Sequence, residues 1–184
     1  MQMDAGLDTG PMLLRQALPI AAHDTASSLH DRLAQLGAQL VLQALQQAEA
    51  GRLQPQPQPE VGVSYAHKID KAEALIDWRH EAAQIARRVR AFDPAPGAST
   101  LLGGATLKVW GAHALPTAPT GPQAAAPGTV LAADASGVQV QTGAGVLVLT
   151  ELQRAGGKRL AAAPFLAGHA LAVGTVLGGA GGAG

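Results

Sequence analysis

Val138-Gln139-Val140-Gln141-Thr142-Gly143-Ala144-Gly145-Val146-Leu147-Val148-Leu149 decides what the second half of this chain can build. Val138, Val140 and Thr142 alternate with Gln139 and Gln141, the period-two pattern of a half-buried strand. Gly143-Ala144-Gly145 then reads as a hairpin turn, with no nucleotide-binding fingerprint around it, and the apolar run Val146 to Leu152 follows. Upstream, Asp134-Ala135-Ser136-Gly137 is another turn, preceded by the runs Gly128 to Ala133 and Leu107 to Ala112. Short strands separated by tight turns predict a small, mainly β barrel. Thr117 to Pro127, rich in Ala, Pro and Thr, reads as a loop, and Gly178 to Gly184 as a flexible tail.

Before these strands, Ala82, Ile85, Val89 and Phe92 share one helical face, while Arg87 and Arg90, three apart, point elsewhere. Pro94 and Pro96 stop that helix. Arg52 to Pro59 alternates proline with glutamine, which favours an extended, semi-rigid spacer and marks a domain boundary; the alternative is a docking site for a proline-recognising module. The first 51 residues carry a second helix. Thr25 is its N-cap, Leu29, Leu33, Leu36 and Leu40 form one apolar face, and Gly51 stands where a C-terminal cap belongs. Residues 1–51 hold too little to cover that face, so the helix is expected to pack on a sheet whose other strands lie elsewhere. Leu13 to Ile20, between Pro11 and Pro19, reads as a short extended piece.

With 184 residues, 47% of them hydrophobic, the chain can bury one respectable core, or one small core plus part of another. Aromatic residues make up only 3%, too few for a groove that stacks many bases, so any RNA contact would rest on charge and shape. The net charge is zero but unevenly placed. Residues 1–51 carry two basic against five acidic side chains, a net of −3, and residues 52–184 carry eleven against eight, a net of +3. Without cysteine there are no disulfides, thiolate chemistry or Cys-ligated zinc. No apolar run reaches the roughly 18 residues a membrane span needs, and a cytoplasmic location is expected.

Asp8 lies in Gly6-Leu7-Asp8-Thr9-Gly10, where flanking glycines permit turns that bring a carboxylate close to a substrate. The same residues could instead form a structural turn in which Asp8 caps backbone amides. Asp4 is expected to do local hydrogen bonding. His23, His30, His67, His80, His113 and His169 are scattered without metal-ligand spacing, so no metal is expected. Gly156-Gly157-Lys158 fails as a phosphate loop, because Leu152 takes the place of the first glycine and Arg159 that of the Ser or Thr. It is a glycine turn carrying two cations. Lys68 and Lys71, with Arg87, Arg88 and Arg90, form the most concentrated basic feature, either a phosphate-binding surface or a solvated face.

Four blocks in order carry a family resemblance: Met1 to Leu13, Ser64-Tyr65-Ala66-His67-Lys68-Ile69-Asp70-Lys71-Ala72-Glu73-Ala74-Leu75-Ile76-Asp77-Trp78, Arg90-Ala91-Phe92-Asp93-Pro94-Ala95-Pro96-Gly97-Ala98, and Leu107-Lys108-Val109-Trp110-Gly111-Ala112. Together they resemble the methionyl-tRNA formyltransferases over nearly the whole chain. The resemblance implies the C-terminal end of a Rossmann-like formyltransferase domain, an α/β remnant, over residues 1–51. It further implies a linker over 52–70 and a C-terminal OB-like tRNA-binding domain over 71–184. It implies transfer of a formyl group from 10-formyltetrahydrofolate to methionyl-initiator-tRNA, with Asp8 as the catalytic aspartate. Lys68, Lys71, Arg87, Arg90, Lys158 and Arg159 are the expected tRNA contacts, and the protein is expected to be a monomer.

In that family the aspartate works with an asparagine and a histidine that would lie before Met1, together with the folate-contacting Ser-Leu-Leu-Pro stretch. The expectation is therefore an incomplete chain, inactive alone, whose folate-binding residues mostly precede Met1. Other formyltetrahydrofolate-dependent formyltransferases share the catalytic domain, and a non-catalytic RNA-binding module is the reading from a different class. The blocks Tyr65 to Trp78 and Phe92 to Trp110 favour the tRNA-specific enzyme.

Overall fold

The computed structural model describes residues 1–115 and 125–178; most of the loop expected over Thr117 to Pro127, and of the tail expected after Gly178, lies outside these described residues. The chain divides into two compact units, Met1–Lys68 and Ile69–Gly184.

The first unit is built on one helix, α1 (Ala26–Glu49). Its start follows from local chemistry: the Thr25 hydroxyl accepts from the Ser28 N–H while the Ser28 hydroxyl accepts from the Thr25 N–H, a reciprocal capping box. Asp24 reinforces the entry by accepting from the Ala21 N–H and from Arg32. The helix ends at Gly51, whose φ of +63° lets its N–H reach the Ala48 carbonyl while the Arg52 N–H reaches that of Gln47, a Schellman closure. No residue of α1 is buried, and Leu33, Val41, Leu42 and Leu45 are all exposed. Of its apolar face, Leu29, Leu36 and Leu40 are half-buried, and a groove of about 360 Å³ lies between the helix and Met1, Leu13, Leu14 and Leu53.

Leu13 to Ile20 forms no regular strand. Pairing is confined to one bridge, in which Met12 and Gln56 exchange backbone hydrogen bonds of 2.8 and 2.9 Å, so the Pro-Gln segment is tied back to the N-terminal loop.

Among the described residues the second unit is a six-stranded antiparallel sheet with short helices. After a 3-10 turn (Lys71–Ala74) come α2 (Ala82–Ala91), β1 (Ala98–Leu102), β2 (Ala105–Ala114), β3 (Val130–Asp134), β4 (Gly137–Gln141), β5 (Val146–Arg154), β6 (Leu160–Ala161) and α3 (Ala162–Gly168). The order is β1-β2-β5-β4-β3, with β6 also pairing β5. Val138, Val140, Leu147 and Leu149 are fully buried, and Ala82, Ile85, Val89 and Phe92 of the α2 segment join them in one core. Burying these side chains is the main force holding the unit together, at about 1.5–3 kcal/mol for each large one.

Strands β2 and β5 change phase at the same place. Leu107 and Val109 face the core, then Ala112 and Ala114; opposite them stand Leu152, then Leu149 and Leu147. The register shifts lie around Gly111. A Cβ there would stand 2.5 Å from the Thr150 hydroxyl, so the close approach needs glycine. Trp110, next to core-facing Val109, lies on the other side of the sheet.

The closed barrel expected from the sequence is not found among the described residues, where β1 and β3 do not pair. Instead the segment after α3 spans the gap. The Val130 and Leu177 N–H groups bond the Thr175 and Gly128 carbonyls, and the Gly178 N–H bonds that of Leu101 in β1. Leu75 and Ile76 cover the outer side of β1, with the Ile76 N–H donating to the Ser99 carbonyl. Both edges are thereby shielded without a continuous ladder. No helix among the described residues is long and apolar enough to cross a membrane.

Candidate active-site loop and cationic surface

The N-terminal loop is held by its own polar groups. The Asp4 carboxylate accepts from the Gly6 N–H at 3.0 Å and the Thr9 hydroxyl at 2.6 Å, the local role expected for it. Both glycines are required by crowding, because a Cβ on Gly6 would lie 2.1 Å from the Thr9 hydroxyl oxygen and one on Gly10 would lie 1.7 Å from the Gln2 carbonyl oxygen. Between them Asp8 takes a φ of +56°, the only described residue other than glycine in the left-handed region. Its carboxylate is exposed and has no hydrogen-bond partner among the described residues, while its backbone carbonyl accepts from the Gln58 amide. The alternative in which the Asp8 side chain caps backbone amides is therefore not what the loop adopts. A strained, outward-facing carboxylate on a tied loop is suited to meeting a substrate.

The expected cations divide by their partners. Lys68 is exposed at the end of the first unit. In the second, Lys71, Arg87 and Lys158 are exposed, and none pairs with a carboxylate among the described residues. Arg90 is half-buried and donates to the Ala86 carbonyl at 3.3 Å. Arg88, beside them, is taken up by the Glu73 carbonyl and the Phe92 ring.

Arg159 is the most committed. Its Nε donates to Glu151 at 2.7 Å, and its terminal nitrogens reach the Asp93 carboxylate at 3.2 and 3.4 Å. The guanidinium also stands over the Trp110 ring, as does the Lys108 ammonium, each 5.1 Å from the centroid. Burial works to lower the Arg159 pKa, but Glu151 and Asp93 outweigh it and the net direction is upward. Trp110 donates to Gln153 at 2.7 Å. This cluster joins the end of α2 to β2, β5 and β6. The sequence offers Arg159 beside Lys158 as an RNA contact and gives no local signal of its acids, because Asp93 and Glu151 lie far along the chain.

Elsewhere Arg79 holds Asp77 through two nitrogens, which pushes the Asp77 carboxyl well below the usual range. Among the described residues no group of three or more His, Asp or Glu side chains is placed to hold a metal ion.

Two family models match this chain: "Formyl transferase, C-terminal domain" over residues 68–170 and "Formyl transferase" over residues 1–45. The chain is 59% identical to the methionyl-tRNA formyltransferase of Delftia acidovorans over 180 residues, which is 98% of this chain and 54% of that protein. It is 56% identical to that of Paracidovorax citrulli, covering 100% of this chain and 56% of the relative. It thus spans about half the length of the curated relatives it matches. Among solved structures, a variant of HypX from Aquifex aeolicus aligns with a TM-score of 0.67 at 24% identity, over 94% of this chain and 30% of HypX. HypX in complex with tetrahydrofolic acid aligns with a TM-score of 0.65 at 24% identity, over 89% of this chain and 28% of HypX, a likeness of fold.

Proposed function

Because this chain belongs to the formyl transferase family, we propose that it supplies the catalytic aspartate and the RNA-binding domain of a methionyl-tRNA formyltransferase. The reaction moves a formyl group from 10-formyltetrahydrofolate to the α-amino group of methionyl-initiator-tRNA, for translation initiation. The observation that carries this reading is the Asp8 loop, in which Asp4 binds Gly6 and Thr9 and Gln58 binds the Asp8 and Gly10 carbonyls, while the Asp8 carboxylate has no partner among the described residues. The identity to relatives named methionyl-tRNA formyltransferase supports the substrates proposed.

The amine attacks the formyl carbon, a C–N bond forms, and the bond to N10 breaks as tetrahydrofolate leaves. A proton must leave the amine and another must reach N10, and a carboxylate in the site serves by orienting a base or water and managing those protons. Asp8 has that role. Residues 1–51 are proposed as the end of the catalytic domain, 52–70 as the linker, and 71–184 as the OB-like tRNA-binding domain. The span of residues 174–178 between β3 and β1 supports the OB-like reading. Lys68, Lys71, Arg87 and Lys158 are the preferred phosphate contacts because they are exposed and pair with no carboxylate among the described residues, Arg90 comes next, and Arg159 is the least available.

The test is formation of formyl-methionyl-tRNA from 10-formyltetrahydrofolate by the full-length protein that carries this sequence, with glycinamide ribonucleotide as the competing acceptor. Formylation of methionyl-tRNA alone is the expected result. Formylation of the nucleotide in its place would move the protein to another formyltransferase, and RNA binding without transfer would make it a non-catalytic module.

A further inference from the structure

We infer that Gln58 is a positioning residue for Asp8. The inference rests on the reading of Asp8 as catalytic and extends it to the Pro-Gln segment, which the sequence presents as a spacer or a docking site. The Gln58 amide nitrogen stands 2.7 Å from the Asp8 carbonyl oxygen and 2.8 Å from that of Gly10. One –NH₂ group has two N–H donors, and here both are used on the two carbonyls that bracket Thr9. These are the carbonyls whose directions change if Asp8 leaves the left-handed region. The side chain therefore fixes the backbone conformation of Asp8 without touching its carboxylate.

The Met12–Gln56 bridge places Gln58 there, bringing the segment alongside the loop two residues earlier. Pro57 and Pro59, on either side, narrow the backbone freedom of Gln58, so little conformational entropy remains to be lost when its amide engages. Asp8 at φ +56° lies in the left-handed region, which costs a side chain with a Cβ more than it costs glycine, so contacts that hold the loop favour it. Gln58 supplies that hold on the C-terminal side of Asp8, as Asp4 does through Gly6 and Thr9.

Replacing the amide by a group of similar length without donors should free the loop and swing the carboxylate by an ångström or more. A misplacement of that size costs about 10- to 100-fold in rate. The experiment measures kcat and KM for methionyl-tRNA in the full-length protein for wild type, Gln58→Met, Gln58→Glu, Asp8→Asn and Gln58→Met with Asp8→Asn. Gln58→Met is expected to lower kcat about 10- to 100-fold with KM for tRNA within twofold. Gln58→Glu, which sets a carboxylate against two carbonyls, should be as low or lower. In the Asp8→Asn background Gln58→Met should cost no more than about twofold, since nothing remains to be positioned.

Gln58→Met and Gln58→Glu both folded and within twofold of wild type, with Asp8→Asn slow, would overturn the positioning role and leave the catalytic role of Asp8 intact. A 10-fold or larger loss from Gln58→Met that persists undiminished in the Asp8→Asn background would make Gln58 a purely structural tie and likewise overturn it. Asp8→Asn at the wild-type rate would overturn the site reading itself, and the inference with it. A folding defect in Gln58→Met alone shows as a lowered melting temperature, and Gln58→Glu then decides between the same outcomes.

Discussion

Arg159→Ala should act on the stability of the second unit rather than on RNA affinity. Asp93 is 8% exposed, and the only donors reaching its carboxylate among the described residues are the Arg159 nitrogens at 3.2–3.4 Å. Removing the arginine leaves a nearly buried carboxylate without a donor, a loss that costs about 3–5 kcal/mol when both partners are fully buried. Here the Arg159 side chain is 43% exposed and the contacts to Asp93 exceed 3 Å, so water and geometry reduce the figure to about 2 kcal/mol. For a unit of this size that is a drop of about 10 °C in melting temperature. Asp93→Asn placed in the Arg159→Ala background removes the stranded charge and should recover about half of the loss. Thermal unfolding of wild type, single and double variants measures the stability, and tRNA affinity over a salt series measures the contact. The salt slope should be unchanged, since Glu151 and Asp93 already neutralise the guanidinium. A melting temperature within about 2 °C of wild type, joined to a reduced salt slope, would refute this reasoning and make Arg159 an RNA contact.

Replacing Arg87 and Arg90 together by Ala should weaken tRNA binding and reduce the salt slope by about one unit per lost phosphate contact, with the circular dichroism of the folded protein unchanged. Identical slopes in two folded proteins would return both to solvated surface. The Asp77 carboxyl is lowered by its bond to Arg79, so its contribution to stability is present above the unfolded carboxyl pKa of about 3.9 and fades as pH falls through the lower folded value. Asp77→Asn should therefore lower the urea midpoint at pH 6, and the difference from wild type should narrow below about pH 4. A gap that stays constant between pH 6 and pH 3 would assign the effect to packing.

The parts of the fold legible in sequence are those settled by neighbours along the chain. Thr25 and Gly51 bound α1 because capping and the left-handed closure are decided within four residues of each end. Strand β4 is legible because its alternation matches one buried face. What escaped depends on partners far away. Ala98–Leu102 reads as Ala-Ser-Thr-Leu-Leu, without a clear period, and is a strand because Ala105–Val109 pairs with it. The phase change at Gly111 breaks the alternation of both β2 and β5, hiding the end of each strand. Pro164 obscured α3, where it is tolerated in the first turn. At the site, the glycines around Asp8 pointed to a loop and Asp4 to local hydrogen bonding, but the engagement of Gln58 with the Asp8 and Gly10 carbonyls is tertiary. Gln58 gives no local signal at all within a Gln-Pro alternation.

The proposed role of Asp8 in formyl transfer to methionyl-tRNA is open to a direct test in the single-turnover rate of formyl-methionyl-tRNA formation from 10-formyltetrahydrofolate, in the full-length protein with Asp8 and with Asp8→Asn. The variant should be slower by about 10² to 10⁴, as expected for a positioned acid–base group, with tRNA binding nearly unchanged. A variant that transfers formyl at the wild-type rate would contradict it and make Asp8 a turn residue.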